Sequence, residues 1–116
     1  ARINDEGWDS SISEWLRVSK ISSKDAVFVF SVGGGDIIKK VSTNIVNAIK
    51  YSKKQKAKIF GIVSNNGGYL KKNGDSVIYI PPLDDGLITP IAESYQALVW
   101  HCIVSHPSLK KNKTKW

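Results

Sequence analysis

Ala26-Val27-Phe28-Val29-Phe30 runs directly into Ser31-Val32-Gly33-Gly34-Gly35-Asp36, and the reading of the whole chain turns on this junction. A β-branched and aromatic run halted by a serine and three glycines predicts a buried strand that delivers the chain into a tight loop. Without Cβ atoms the loop backbone can approach a ligand, and successive N–H groups can converge on an anion, with the Ser31 hydroxyl as a further donor. Ser42-Thr43-Asn44 then precedes the apolar positions Ile45 and Ile49. Ser42 is therefore a candidate N-cap and a second hydroxyl beside a helix N-terminus. Strand, loop and helix together predict a phosphate cradle, although a Gly-rich strand-to-helix turn also serves as a plain connection in α/β proteins.

Working outward, Ala1 to Gly7 reads as a loop, and Trp8, Ile12, Trp15 and Leu16 recur at spacings of three and four, which predicts an amphipathic helix ending near Lys20. Ser22 to Asp25 is turn-like. Beyond the glycines, Ile37 to Val41 has no clean period and extends the loop. A helix follows over Thr43 to Lys54 with Ile45, Ala48, Ile49 and Ser52 inward. Lys58 to Val63 is the next strand, Ser64 to Gly68 a turn, Tyr69 to Asn73 a short helix, and Ser76 to Ile80 a third strand ended by Pro81-Pro82. Thr89 is the expected N-cap and Pro90 the first position of a last helix carrying Ala92, Tyr95, Gln96, Val99, Trp100 and Ile103. Pro107 ends it. This alternation calls for parallel β-α-β units, in which ligands gather at the carboxyl ends of the strands. A three-strand parallel sheet with an open flank also calls for further chain or a partner along that edge.

The 116 residues are 41% hydrophobic, enough for one modest core. There is no run of eighteen apolar residues, no signal peptide and no lipidation pattern, so a cytoplasmic protein without a membrane partner is expected. The single cysteine, Cys102, lies in an apolar helical pattern and reads as a packed thiol. The net charge of +7 raises nucleic acid as a partner. However, the lysines are scattered, with Lys50, Lys53, Lys54, Lys56 and Lys58 at one helix end and Lys110, Lys111, Lys113 and Lys115 in a tail. There is no glycine-aromatic RNA motif and no metal finger, which argues against nucleic acid and leaves an anionic metabolite as the partner.

Taken in order, Asn4-Asp5 with Gly7-Trp8, the strand ending at Ser31, the Gly67-Gly68 turn and the helix from Glu93 to His101 resemble the C-terminal part of a sugar isomerase (SIS) domain. Within it they are most similar to the phosphoheptose isomerases, which interconvert sedoheptulose 7-phosphate and a heptose 7-phosphate. The resemblance covers nearly all of the chain. It implies a flavodoxin-like parallel α/β sheet with helices on both faces, in a homodimer or homotetramer. Residues 1–116 would then be the C-terminal portion of one SIS domain, with 109–116 a basic tail and two further strands and a helix upstream of Ala1.

The resemblance also implies site residues. Ser31 matches the first serine of the family's phosphate loop and Ser42 its last, with the Gly33, Gly34 and Gly35 backbone between them. The chain departs from the family at Val32 and Gly33, where hydroxyl residues are usual, and Asp36 to Val41 reads as an insertion. A carboxylate at Asp36 facing a phosphate would repel it. Lys39 and Lys40 either offset that charge or form a solvated pair. His101 matches the catalytic histidine, and Glu93 stands where the family has a glutamine able to contact metal or substrate. The same two residues are candidate ligands for zinc. Asp5 matches an active-site acid, or is a turn residue. A catalytic glutamate of the family is absent from these residues.

Aldose–ketose exchange through an enediol needs a base beside a carbonyl and an acid at its oxygen, roles open to a histidine and a carboxylate. Eight residues of helix put Glu93 and His101 about 12 Å apart along its axis, with small Ala97 between them. His101 would otherwise be a packed helix histidine, and His106, before Pro107, a helix-end one. The expected activity is phosphosugar isomerisation; the alternative is a non-catalytic SIS module that binds a phosphosugar or sugar nucleotide.

Overall fold

The strand expected at Ala26–Phe30 forms, and its side-chain alternation sets up both faces of the sheet. The computed structural model describes residues 2–113, arranged as α1 (Arg2–Glu6), α2 (Ser11–Val18), β1 (Ala26–Phe30), α3 (Thr43–Lys54), β2 (Lys58–Val63), α4 (Gly68–Asn73), β3 (Ser76–Tyr79), a 3-10 turn (Asp85–Leu87) and α5 (Ile88–Ser105). The three strands are parallel in the order β1-β2-β3, with Ala26 to Phe30 beside Lys58 to Ile62, and Phe60 to Val63 beside Ser76 to Tyr79. Among the described residues β1 pairs with β2 alone.

Successive strand side chains point to opposite faces. Val29, Ile59 and Val63 meet Ile49 of α3 and Leu70 of α4 on one face, with Val27 and Val77 packed against them. Leu70 is fully buried, and Gly61 makes room for it, because a Cβ there would stand 2.7 Å from Leu70 Cδ2. Burial on this scale contributes roughly 2–3 kcal/mol for one leucine. On the other face Phe28 and Phe30, with centroids 5.0 Å apart, meet Trp100 of α5 edge-on at 6.4 and 6.0 Å. Helices therefore cover both faces, as expected. The β2, α3 and α4 segments also lie where the sequence places them, and β3 stops one residue short, with the Ile80 N–H donating to the Val63 carbonyl.

Several expectations are corrected. Residues 2–6 are helical rather than a loop, closed by an Arg2–Glu6 pair at 2.8 Å. The following helix begins only at Ser11, and it buries Leu16 while Trp8 and Trp15 stay 57% and 61% exposed. Ile12 and Leu16, four apart, make its inward stripe. Thr89 does not cap α5, because the Asp84 carboxylate accepts the Gly86 N–H and the 3-10 turn continues straight into the helix at Ile88. Pro90 is tolerated there because N–H groups of a first turn have no helical acceptor. The buried stripe of α5 is Ala92 and Gln96, extended by half-buried Val99 and Ile103. Tyr95 and Trp100 lie off that stripe, 46% and 43% exposed. Cys102 lies off that stripe and is exposed, not packed. At the C-terminal end the basic tail is described through Lys113; residues 114–116 and Ala1 lie outside the described residues.

Candidate functional site

The loop after β1 is held by its own serine. Ser31 Oγ accepts the Gly34 N–H at 3.0 Å, which leaves the hydroxyl proton to donate elsewhere. The Gly34 and Gly35 carbonyls accept the N–H groups of Leu70 and Tyr69 at 2.9 and 2.7 Å, so this loop caps the start of α4. Gly34 and Gly35 are buried, whereas Gly33 faces open space, where a Cβ would meet nothing within 4 Å. The three glycines thus divide their roles. Gly34 permits close packing on the Gly67-Gly68 turn and Gly35 on Val46 of α3, while Gly33 has open space where a side chain would stand and turns its carbonyl to Gly68.

The inserted segment is a small hairpin. Asp36 and Val41 exchange both backbone hydrogen bonds, at 2.9 and 3.1 Å, and Asp36 Oδ1 accepts the N–H groups of Ile38 and Lys39 at 2.8 and 2.9 Å. The Lys39 N–H, then that of Ile38, with the charges of Lys39 and Lys72, hold the Asp36 carboxyl below its ordinary range. Its carboxylate is engaged with its own turn and keeps its negative charge, so it does not favour an anion in the adjoining cleft. Lys39 and Lys40 are exposed, and it is a backbone N–H of Lys39 that bonds the acid. The hairpin borders a cleft of about 390 Å³ lined by Gly35, Asp36, Ile37, Ile38, Asn66, Gly68, Tyr69 and Lys72.

Ser42 stands at the N-cap position of α3 in a left-handed conformation, φ 49° and ψ 45°, and its side chain makes no capping bond. Its hydroxyl is not spent on the helix. The first turn of α3 is instead tied from outside: Thr43 Oγ1 donates to Asp9 Oδ1, and Asn47 Nδ2 donates to the Asp9 carbonyl at 3.0 Å. Asp5, the acid expected at the site, is exposed on α1.

On the other face, Phe30, Glu93, Gln96, Ala97 and Trp100 line a shallow pocket of about 360 Å³. Glu93 therefore lies beside the last residue of β1, which directly precedes Ser31. His101 is exposed further along α5 and does not line that pocket. His106 caps the C-terminus of α5, its Nδ1 accepting the Ser108 N–H at 3.2 Å. The structure thus groups Ser31, Gly33, Gly34 and Gly35, and separately Glu93 with Gln96. It does not bring Asp5 or His101 to either group. No three His, Cys, Asp or Glu side chains cluster among the described residues. Glu93 and His101 alone do not fit a zinc centre, which takes three or four protein ligands.

The sequence pattern places Gln96 on the last helix without a role at the site, and it leaves Asp9 unmarked. Gln96 carries a readable signal, a polar side chain on a buried helical stripe, and it reaches toward the Ile62 carbonyl at 3.5 Å. Asp9 carries none, because its partners stand 34 and 38 residues away.

No family model matches the chain. The phosphoheptose isomerase of Buchnera aphidicola subsp. Acyrthosiphon pisum is 36% identical over 85 residues, covering 68% of this chain and 42% of that protein. The lincomycin biosynthesis protein LmbN of Streptomyces lincolnensis is 31% identical over 111 residues, covering 91% of this chain and 38% of the relative. Among solved structures, the phosphoheptose isomerase of Neisseria gonorrhoeae superposes with a TM-score of 0.66 at 19% identity, over 88% of this chain and 54% of that one. The enzyme from Francisella tularensis gives 0.69 at 19%, over 87% and 49%. The chain spans about two fifths of the length of the curated relatives it matches. With its parallel sheet, its serine-glycine loop and these similarities, the chain is a relative of the phosphoheptose isomerases with the fold of the sugar isomerase (SIS) domain over the part it spans.

Proposed function

We propose that the protein is a phosphosugar isomerase that interconverts ketose and aldose phosphates, with sedoheptulose 7-phosphate as substrate and a heptose 7-phosphate as product. The observation that carries this reading is the 36% identity to a phosphoheptose isomerase, on a chain whose β1 ends in a pre-formed serine-glycine loop. The Ser31 hydroxyl, the Gly33 N–H and the uncommitted Ser42 hydroxyl bind the phosphate; Gly34 and Gly35 hold the loop's shape. A helix N-terminus and converging N–H groups favour such an anion. Glu93 and His101 move the protons of the enediol step, one taking the proton beside the carbonyl and the other serving its oxygen.

With Glu93 and His101 apart on α5, the sugar end in this reading is completed by further residues, such as those of a second subunit in a homodimer or homotetramer. The same holds for zinc, which needs ligands beyond Glu93 and His101. No described helix is long and apolar enough to cross a membrane. A cytoplasmic location belongs to the same proposal and suits a water-soluble phosphosugar substrate.

The test is isothermal titration of sedoheptulose 7-phosphate into the intact protein and its Ser31→Ala variant, followed by product analysis. Aldose product from the parent, with binding weakened at least tenfold in Ser31→Ala, is expected. Separation of His101 from the Glu93 pocket favours one rival, a module that binds a phosphosugar or sugar nucleotide without chemistry. Binding without product would establish the rival. Turnover lost in His101→Ala with affinity kept would exclude it.

A further inference from the structure

The turn between α1 and α2 is stiffened by its own side chains. Gly7 turns at φ +81°, Ser10 Oγ donates to the Glu6 and Gly7 carbonyls at 2.7 and 3.3 Å, and Ser11 Oγ donates to the Trp8 carbonyl at 2.7 Å. Asp9 projects from this turn and grips α3 at two points of one face, through its carboxylate at Thr43 and its carbonyl at Asn47 one helical turn later. Those bonds matter because the opening of α3 has no capping bond from Ser42, while Asn44 Oδ1 is engaged locally with the Ile45 N–H at 2.9 Å. A helix start without a cap frays. A ligand that needs Ser42 and the adjacent backbone in a fixed place binds best when that start is ordered beforehand.

We infer that Asp9 is a positioning residue for the phosphate end of the site, ordering the first turn of α3 so that the Ser42 hydroxyl is held and free for the ligand. The inference rests on the phosphate-cradle reading above. The partner of Asp9, Thr43, is thereby withdrawn from the ligand, so the site uses Ser42 and not its neighbour. Asp5, which the family resemblance places at the site, has no part in this.

The experiment compares the intact protein with Asp9→Ala, Asp9→Asn, Thr43→Val, the Asp9→Ala/Thr43→Val double variant and Lys58→Ala, which breaks an ion pair with Asp75 elsewhere on the surface. Calorimetric titration with inorganic phosphate and with sedoheptulose 7-phosphate gives the affinities, and thermal melts record folding. Asp9→Ala and Thr43→Val should each weaken both ligands by about tenfold, as loss of a charge-assisted hydrogen bond does, with the double variant no weaker than either. Asp9→Asn should restore binding to within about threefold, since its amide oxygen still accepts the Thr43 hydroxyl. Lys58→Ala should leave binding within about twofold whatever its melt, because its lost pair is a surface one. Where turnover is measured, the loss should appear in KM and not in kcat.

Parent-like binding by Asp9→Ala, no recovery in Asp9→Asn, or equal weakening in Lys58→Ala overturns the inference while leaving the phosphate loop standing. A parent that binds neither ligand overturns the cradle and this inference together.

Discussion

Gly34 and Gly68 show what a glycine loop does for packing. A Cβ on Gly34 would stand 2.1 Å from the Gly67 carbonyl oxygen, and one on Gly68 would stand 2.2 Å from that of Gly33. Both positions have positive φ, +72° and +51°. Neither the contact nor the conformation suits an L side chain. Gly34→Ala and Gly68→Ala should each cost at least about 2 kcal/mol in urea denaturation. Gly33→Ala, in open space, should cost less than about 1 kcal/mol while still crowding the ligand. Asp36 makes a second prediction. Its folded pKa is lowered by the N–H of Lys39 and then of Ile38, so the hairpin's contribution is complete above the ordinary aspartate range. It is lost as pH falls through the depressed folded value. The amide signals of Ile38 and Lys39 should therefore hold steady down to about pH 4 and move together only below it.

Elements are legible in proportion to how local their causes are. The strands at Ala26 and Lys58 and the helix from Thr43 carry period and punctuation in a few residues, and the sequence places each to within a residue. Helix α1 escapes such a reading because five residues over Arg2–Glu6 hold no apolar stripe; an i,i+4 ion pair and a two-serine turn supply its context. The hairpin at Asp36 escapes it too, because an Asx turn leaves no periodicity. Burial on α5 differs from its pattern for another reason. An apolar helix pattern marks which residues can be buried, but of α5 only Ala92 and Gln96 are buried, and Trp100 meets Phe28 and Phe30 by ring edges while staying partly open to solvent. Of the candidate site, the serine-glycine loop is readable from Ser31 and the glycines, while the tie from Asp9 is a tertiary contact with no sequence signature. The shared core of β1, β2, α3 and α4 should respond as one unit. Leu70→Ala, at a fully buried position, should cost about 2–5 kcal/mol and shift the urea midpoint without changing the folded-baseline fluorescence of Trp100, read in a background with the other three tryptophans replaced by phenylalanine.

For the whole molecule, the net charge of +7 has to be judged by where it lies. Lys53 and Lys54 occupy the last turn of α3, whose other end is at Ser42, and Lys58 opens β2 at the edge away from Ser64. Twelve residues of helix put the first two about 18 Å from the start of α3, beyond the screening length of about 8 Å at physiological salt. Lys53 and Lys58 are also occupied there, with Asn73 at 3.1 Å and Asp75 at 2.9 Å. This basic end therefore cannot fix a phosphate held at Ser31 and Ser42. Replacing Lys53, Lys54 and Lys56 together by glutamine should leave the affinity for sedoheptulose 7-phosphate, titrated at about 150 mM salt, within about twofold of the parent. At low salt the same triple variant should bind more slowly, because a net field steers encounters even where it adds nothing to the docked complex. A loss of about tenfold at that physiological salt would mean that the anion sits at the opposite end of the sheet, and the serine-glycine loop would then be only a connection.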